Sequence, residues 1–347
     1  MRSRFLIIYL SLLLAGAAII YFFPAPGAIA NPPSPGVSPE ERTANHFNSI
    51  RNQPGELLAF LRQMPKGGDL HSHLSGAVYA ETLIDLAALL GRCIDKQTLT
   101  ASEKCGANGQ MAATLAQDDM SREDIPLYRR LVDAWSMRNW QESGRSGHDQ
   151  FFDTFGKFGK ATYRTGDMLA EVMERAADGN VSYLELMLTP DNGVAKDFAK
   201  QLVWTGEFGG MRKQLLDAGL HDKAQAAVRA TIDDAETSAR AALKCGTSAA
   251  QPGCAVTVRY LFQVARAGAK REVFAQMVTA FEVAGADRRM LGLNLVEPED
   301  YPVPRRDFTL HMQMLNFLHP LYPNAHITLH AGELTLGLVP LPTCVIT

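Results

Sequence analysis

Three histidines in this sequence are spaced as ligands of a divalent metal would be. Two lie in Asp69-Leu70-His71-Ser72-His73-Leu74-Ser75-Gly76. In an extended strand alternate side chains share a face, so His71 and His73 project together while Ser72 points away. Neutral imidazole is a common zinc ligand, and two of them converging at a strand end suit that ion. An H-x-H pair alone is weak evidence. The third histidine, His330, closes the apolar run Ile327-Thr328-Leu329 and precedes Ala331-Gly332-Glu333. Gly332 permits a tight turn, which lets Glu333 fold back toward the same place. His46, His148 and His221 have no such context and read as solvated surface residues.

Elements that would position these groups can be read from periodicity. Helices are expected over 56–64, 80–90, 168–177, 272–284 and 308–318, and 204–243 reads as mostly helical. Strands are expected over 70–74, 181–188, 255–264, 291–296 and 326–330. Residues 93–124 are polar and read as an irregular inserted loop. Strands alternating with helices imply a parallel sheet, as a barrel or an open α/β layer. His73 and His330 then fall at strand C-terminal ends, where α/β barrels keep their active sites.

The N-terminus has a different character. Arg2 and Arg4 precede an apolar run from Phe5 to Phe23, and Ala28-Ile29-Ala30 offers an A-x-A cleavage pattern. Residues 1–30 therefore read as a secretory signal peptide or a retained N-terminal anchor; either exports the rest of the chain, to a periplasmic or extracellular place. Residues 31–40 are proline-rich and read as a tether. The five cysteines suit an oxidising compartment. Cys93 with Cys105, and Cys245 with Cys254, each bracket a polar, glycine-containing stretch and are expected as loop disulfides. Buried free thiols are the alternative, and Cys344 is left over. There is no C-x-x-C, which excludes a zinc ribbon or a thioredoxin motif. The 34 Lys and Arg against 37 Asp and Glu leave a net charge of −3, so no nucleic-acid partner is expected.

The sequence resembles the metal-dependent adenosine/AMP deaminase family. Met64-Pro65-Lys66 followed by Leu70 to Ala77 is similar to the opening of that family, and Thr328 to Leu334 to its H-A-G-E motif. The secreted, adenosine-deaminase-related growth factor branch and its bacterial relatives are nearest in likeness. Ser136-Met137-Arg138, Phe151-Phe152-Asp153-Thr154-Phe155 and Gly292 to Val296 with Glu299-Asp300 carry that likeness. It runs from about residue 56 to 340. The resemblance implies a (β/α)8 TIM-type metal-dependent hydrolase barrel over residues 41–340. It also implies one Zn2+ held by His71, His73 and His330, with Glu333 as proton donor to a purine ring. Zinc lowers the pKa of a bound water to about 7, and protonating a ring nitrogen activates the adjacent carbon toward attack and loss of ammonia. The implied activity is hydrolytic deamination of adenosine or a related purine nucleoside, a small-molecule partner. The P-C-x-x-C signature of the zinc cytidine deaminases is absent.

Three positions depart from the family pattern. Ser75 stands where an acidic, sugar-contacting residue is frequent. Asn294 and Glu297 stand where an Asp and, three residues on, a Gly are usual near the substrate. Ser75, Gly76 and Glu297 are the candidate substrate contacts. The family barrel also continues past H-A-G-E, whereas this sequence ends at Thr347, 14 residues beyond Glu333. About five of eight strands are therefore expected, and residues 341–347 read as an aberrant tail from a frameshift or sequencing error. On that reading the chain as written is inactive. The competing reading is a non-catalytic remnant or secreted metal-binding pseudoenzyme. A membrane is expected to be met only through the possible N-terminal anchor, and the oligomeric state is left open.

Overall fold

The computed structural model describes residues 37–116, 120–334 and 339. The N-terminal segment, most of the tether, the tail and Cys344 lie outside the described residues. The described residues fall into two compact units that divide between Leu61 and Arg62. In the first, Ser38 caps helix α1 (Pro39–Ile50) by accepting the Glu41 N–H at 3.1 Å. Pro39 fills the first helical turn, where its missing N–H costs nothing. Helix α2 (Pro54–Gln63) follows, and Phe60 packs on the rings of His46 and Phe47, with centroids 5.7 Å away in each case.

The second unit runs β1 (Gly67–His73), α3 (Ala80–Leu89), β2 (Cys93–Asp95), β3 (Ala101–Ser102), β4 (Gly109–Met111), α4 (Ile125–Ala134), α5 (Gly147–Phe158) and α6 (Thr165–Asp178). It continues through β5 (Val181–Leu188), α7 (Val194–Gln201), α8 (Phe208–Asp217), α9 (Leu220–Ala242), β6 (Thr257–Ala265), α10 (Lys270–Ala284), β7 (Met290–Val296), α11 (Pro302–Leu318) and β8 (His326–Leu329). The principal sheet has the order β1-β5-β6-β7-β8, every neighbour parallel. This is the α/β architecture of an incomplete TIM-type barrel with five strands.

The sheet must be strongly curled. Five flat strands spaced about 4.8 Å apart would hold their edges roughly 19 Å from one another. Yet His71 on one edge strand and His330, just past the other, bring their Nε2 atoms within 3.1 Å. Only a rolled sheet lets both imidazoles reach a common point. The pairing of β7 with β8 needs Gly292, because a Cβ there would overlap the His326 carbonyl.

The two faces of this sheet differ in chemistry. Leu184, Leu186, Val258, Tyr260, Phe262, Val264, Leu293 and Leu295 face the helices and join one continuous core. Helix α10 is its centre: Val273, Phe274, Met277, Val278 and Phe281 are fully buried. The alternate positions Tyr183, Glu185, Arg259, Gln263, Asn294 and Thr328 put polar groups on the inner face.

Residues 93–124 are more ordered than the sequence reading expects. Strands β3-β2-β4 form an antiparallel sheet, a 3-10 turn follows at Ala112–Leu115, and α4 begins at Ile125. Strands of two or three residues carry too little alternation to be seen in sequence. The disulfide Cys93–Cys105 ties this sheet (Cα–Cα 5.1 Å), and Cys245–Cys254 closes the loop after α9 (Cα–Cα 5.5 Å). His148 and His221 are not merely solvated. His148 meets Asp300 at 3.0 Å, and His221 meets Glu282 at 2.6 Å. Both carboxylates are far away in sequence, so local context gave no sign of them.

Candidate metal centre

Among the described residues, one group of metal-ligating side chains converges, and it is His71, His73 and His330, whose ligand atoms lie within 4.8 Å of one another. The alternation of β1 carries the first two to one face, and β8 delivers the third from the opposite edge. The His330 Nε2 stands 3.1 Å from that of His71 and 2.9 Å from that of His73.

The tautomers follow from the surrounding hydrogen bonds. Thr328 Oγ1 donates its only proton to the Leu293 carbonyl at 3.2 Å, so it must accept from Asn294 Nδ2 at 2.7 Å. That turns Asn294 Oδ1 toward His330 Nδ1, 2.5 Å away, which must therefore carry the proton. On the other side Gln263 Nε2 donates to Thr189 Oγ1 at 3.2 Å, leaving its Oε1 to accept from His73 Nδ1 at 2.6 Å. Both histidines thus aim Nε2 lone pairs at each other. Two acceptors at that separation make no hydrogen bond; a shared cation reconciles them. The donor set therefore fits a divalent metal, with the His73 and His330 imidazoles oriented by partners on their far nitrogens. Burial, and then the neighbouring histidines and Arg266, push the His330 pKa down to about 4. Burial also lowers that of His73, more than its bond to Gln263 raises it.

A guanidinium fastens the strand ends around this cluster. Arg266 follows β6 and is 5% exposed. Its Nη1 donates to the His330 carbonyl at 3.0 Å, while Nε and Nη2 donate to the Glu297 carbonyl at 3.1 and 2.8 Å. One side chain so joins the C-terminal ends of β6, β7 and β8. Arg266 and Gln263 were missed in the sequence reading. Their signal was two polar residues, one inside and one ending the otherwise apolar run Leu261 to Arg266.

Glu333 stands at the exposed rim. Its backbone N–H donates to Glu299 Oε1 at 2.8 Å. Partial loss of solvent, and then the charge of Glu299, raise its carboxyl pKa, which suits a proton donor. Asp300 and Asp149 raise the pKa of His148 against the lowering effect of its burial.

A cavity of about 240 Å3 opens beside the cluster. His73, His330 and Gln263 form one wall, and Phe151, Phe152, Phe155 and Tyr301 the apolar remainder; Ser75 and Glu297 also line it. Gly76 does not. It packs against the Phe155 ring and borders a larger cavity, about 710 Å3, beside Tyr79, Arg138 and Arg175. That larger space contains none of the three histidines, so the smaller one is where chemistry at the cluster would take place.

Fold and cluster together define an α/β protein with a three-histidine donor set at the C-terminal ends of a curled parallel sheet. No protein-family model and no curated protein matches the sequence. Among solved structures, it is similar to arabidopsis ADAL complexed with IMP, at a TM-score of 0.45 and 19% identity over 80% of this chain and 60% of that one. Arabidopsis ADAL complexed with GMP gives a TM-score of 0.44 and 19% identity, over 80% and 61%. The chain thus spans about three fifths of the length of these structures. Likeness of this degree leaves any activity to be argued from the residues of the site.

Proposed function

We propose that this chain carries the metal site of a zinc-dependent aminohydrolase of the adenosine deaminase type, acting on a purine nucleoside outside the cytoplasm. The observation that carries the reading is the convergence of the H-x-H pair with the H-A-G-E histidine, with the lone pairs of His73 and His330 facing and the other nitrogens of these two held by amides. A divalent ion held there supplies a Lewis acid at neutral pH. The chain's own residues do the rest. His71, His73 and His330 hold the ion. The aromatic wall of Phe151, Phe155 and Tyr301 accepts a planar base and excludes water. Glu333, with its pKa raised, donates a proton to a ring nitrogen. Export is supported by the two disulfides, which persist in oxidising compartments.

A second reading is a secreted metal-binding protein without turnover. It is favoured by the place of Glu333, which stands exposed at the rim with its N–H on Glu299 and is not among the residues that line the histidine cavity. One experiment separates the two: metal content by mass spectrometry beside ammonia release from adenosine, for the wild type and for Glu333→Gln. The first reading expects Glu333→Gln to keep its zinc and lose turnover. Zinc bound with no ammonia released by the wild type supports the second. A protein that takes up no zinc refutes both.

A further inference from the structure

We propose that Glu297 selects the ligand of the histidine cavity: its carboxylate accepts hydrogen bonds from an uncharged nucleoside and repels phosphorylated ones. This rests on the purine-nucleoside reading above. The backbone of Glu297 has φ +91°, in the left-handed region that disfavours a side chain. Among the described residues five other non-glycines have positive φ, and three are asparagines, the type that tolerates this region best. Glu297 is not of that type, and the following Pro298 narrows its options further. The two Arg266 bonds on its carbonyl hold the conformation in place. The position is thus built for glycine, yet it carries a carboxyl group.

Glu297 lines the cavity beside His73 and His330. Among the described residues its carboxyl has no hydrogen-bond partner, and the Arg266 guanidinium is engaged with carbonyl oxygens. A strained residue with a half-buried carboxylate that has the charge of Arg266 nearby but no hydrogen bond is costly unless something else uses it. The cavity supplies acceptors and aromatic faces, and Glu299 and Glu333 lie nearby around Arg266. Hydroxyl and amine donors are therefore favoured there, and a phosphate is not.

The test uses the full chain loaded with Zn2+, with Glu297→Gly and Glu297→Gln beside the wild type. Melting temperature is measured together with calorimetric binding of adenosine and of AMP. The wild type should bind adenosine at least about tenfold more tightly than AMP, since one well-placed charge-assisted bond is worth that much. Glu297→Gly should melt about 2 °C higher, because the strain is relieved, and should lose most of its preference. Glu297→Gln should melt like the wild type while the gap between adenosine and AMP narrows. A glycine variant that melts lower with its preference intact would show a structural role and overturn the proposal. Equal binding of adenosine and AMP by the wild type would overturn it alone. Binding of neither would reject the purine reading, and this proposal with it.

Discussion

The two faces of the five-stranded sheet are built from the same strands and obey different rules. Phe262 points to the helices and is fully buried, while Gln263, the next residue, points inward to His73. On the helix side the requirement is volume and apolarity, met by many residues at once. On the inner side it is the placement of single atoms: one amide oxygen fixes one imidazole. The first face tolerates reshaping in proportion to volume; the second fails or works atom by atom.

Exchanging the damage between faces would break this contrast most clearly. His330→Ala should weaken zinc binding by about a thousandfold, since it removes one of three ligands, while leaving the melting temperature of the metal-free chain nearly unchanged. Phe262→Ala should do the reverse, costing about 3–5 kcal/mol of unfolding free energy. Competition with a chromophoric chelator and urea denaturation read the two effects. If His330→Ala unfolded the metal-free chain as far as Phe262→Ala does, the separation of faces would be wrong.

A smaller effect sharpens the same point. Asn294 is fully buried and touches no metal-ligating atom: its Oδ1 meets Nδ1 of His330 and its Nδ2 donates to the Thr328 hydroxyl. Asn294→Leu keeps the volume and removes the acceptor, so zinc affinity should drop about 10–100-fold. Asn294→Asp should restore it, because a carboxylate accepts the same proton. An unchanged affinity in the leucine variant would mean that the amide does not orient the ring.

The smallest expected effect concerns a histidine on the apolar side. His311 in α11 is 1% exposed, and burial pushes its pKa down from 6.5 to about 4, against the charge of Asp307. The folded chain keeps it neutral, whereas the unfolded chain protonates it below pH 6.5. Its contribution is therefore complete above pH 6.5 and is lost as pH falls toward 4. In His311→Leu the decline in stability over that window should be shallower, by urea titration at stepped pH. Identical slopes would show that His311 does not titrate in this way.

All five strands of the sheet and the three histidines were legible in sequence. Apolar runs such as Val181 to Leu188 mark parallel strands directly, and H-x-H marks a shared face through the period of two. The short strands β2 to β4 were not legible, because three residues hold no period. Nor were the bonds of His148 to Asp300 and His221 to Glu282, since partners 152 and 61 residues apart meet only after folding.

What the sequence determined by itself was which atoms are available: three imidazoles at or near strand ends, a glutamate beyond the last of them, and a second glutamate at 297. What the tertiary structure alone decided was their use. Curling the sheet brought His71 and His330 together across 259 residues of chain. Register placed Gln263 beside Asn294, and Asn294 beside Thr328. The direction of the His330 proton then followed from a threonine that has only one to give. Periodicity can be read along a chain because it arises between near neighbours. Tautomers and close approaches arise between distant ones, and only packing fixes them.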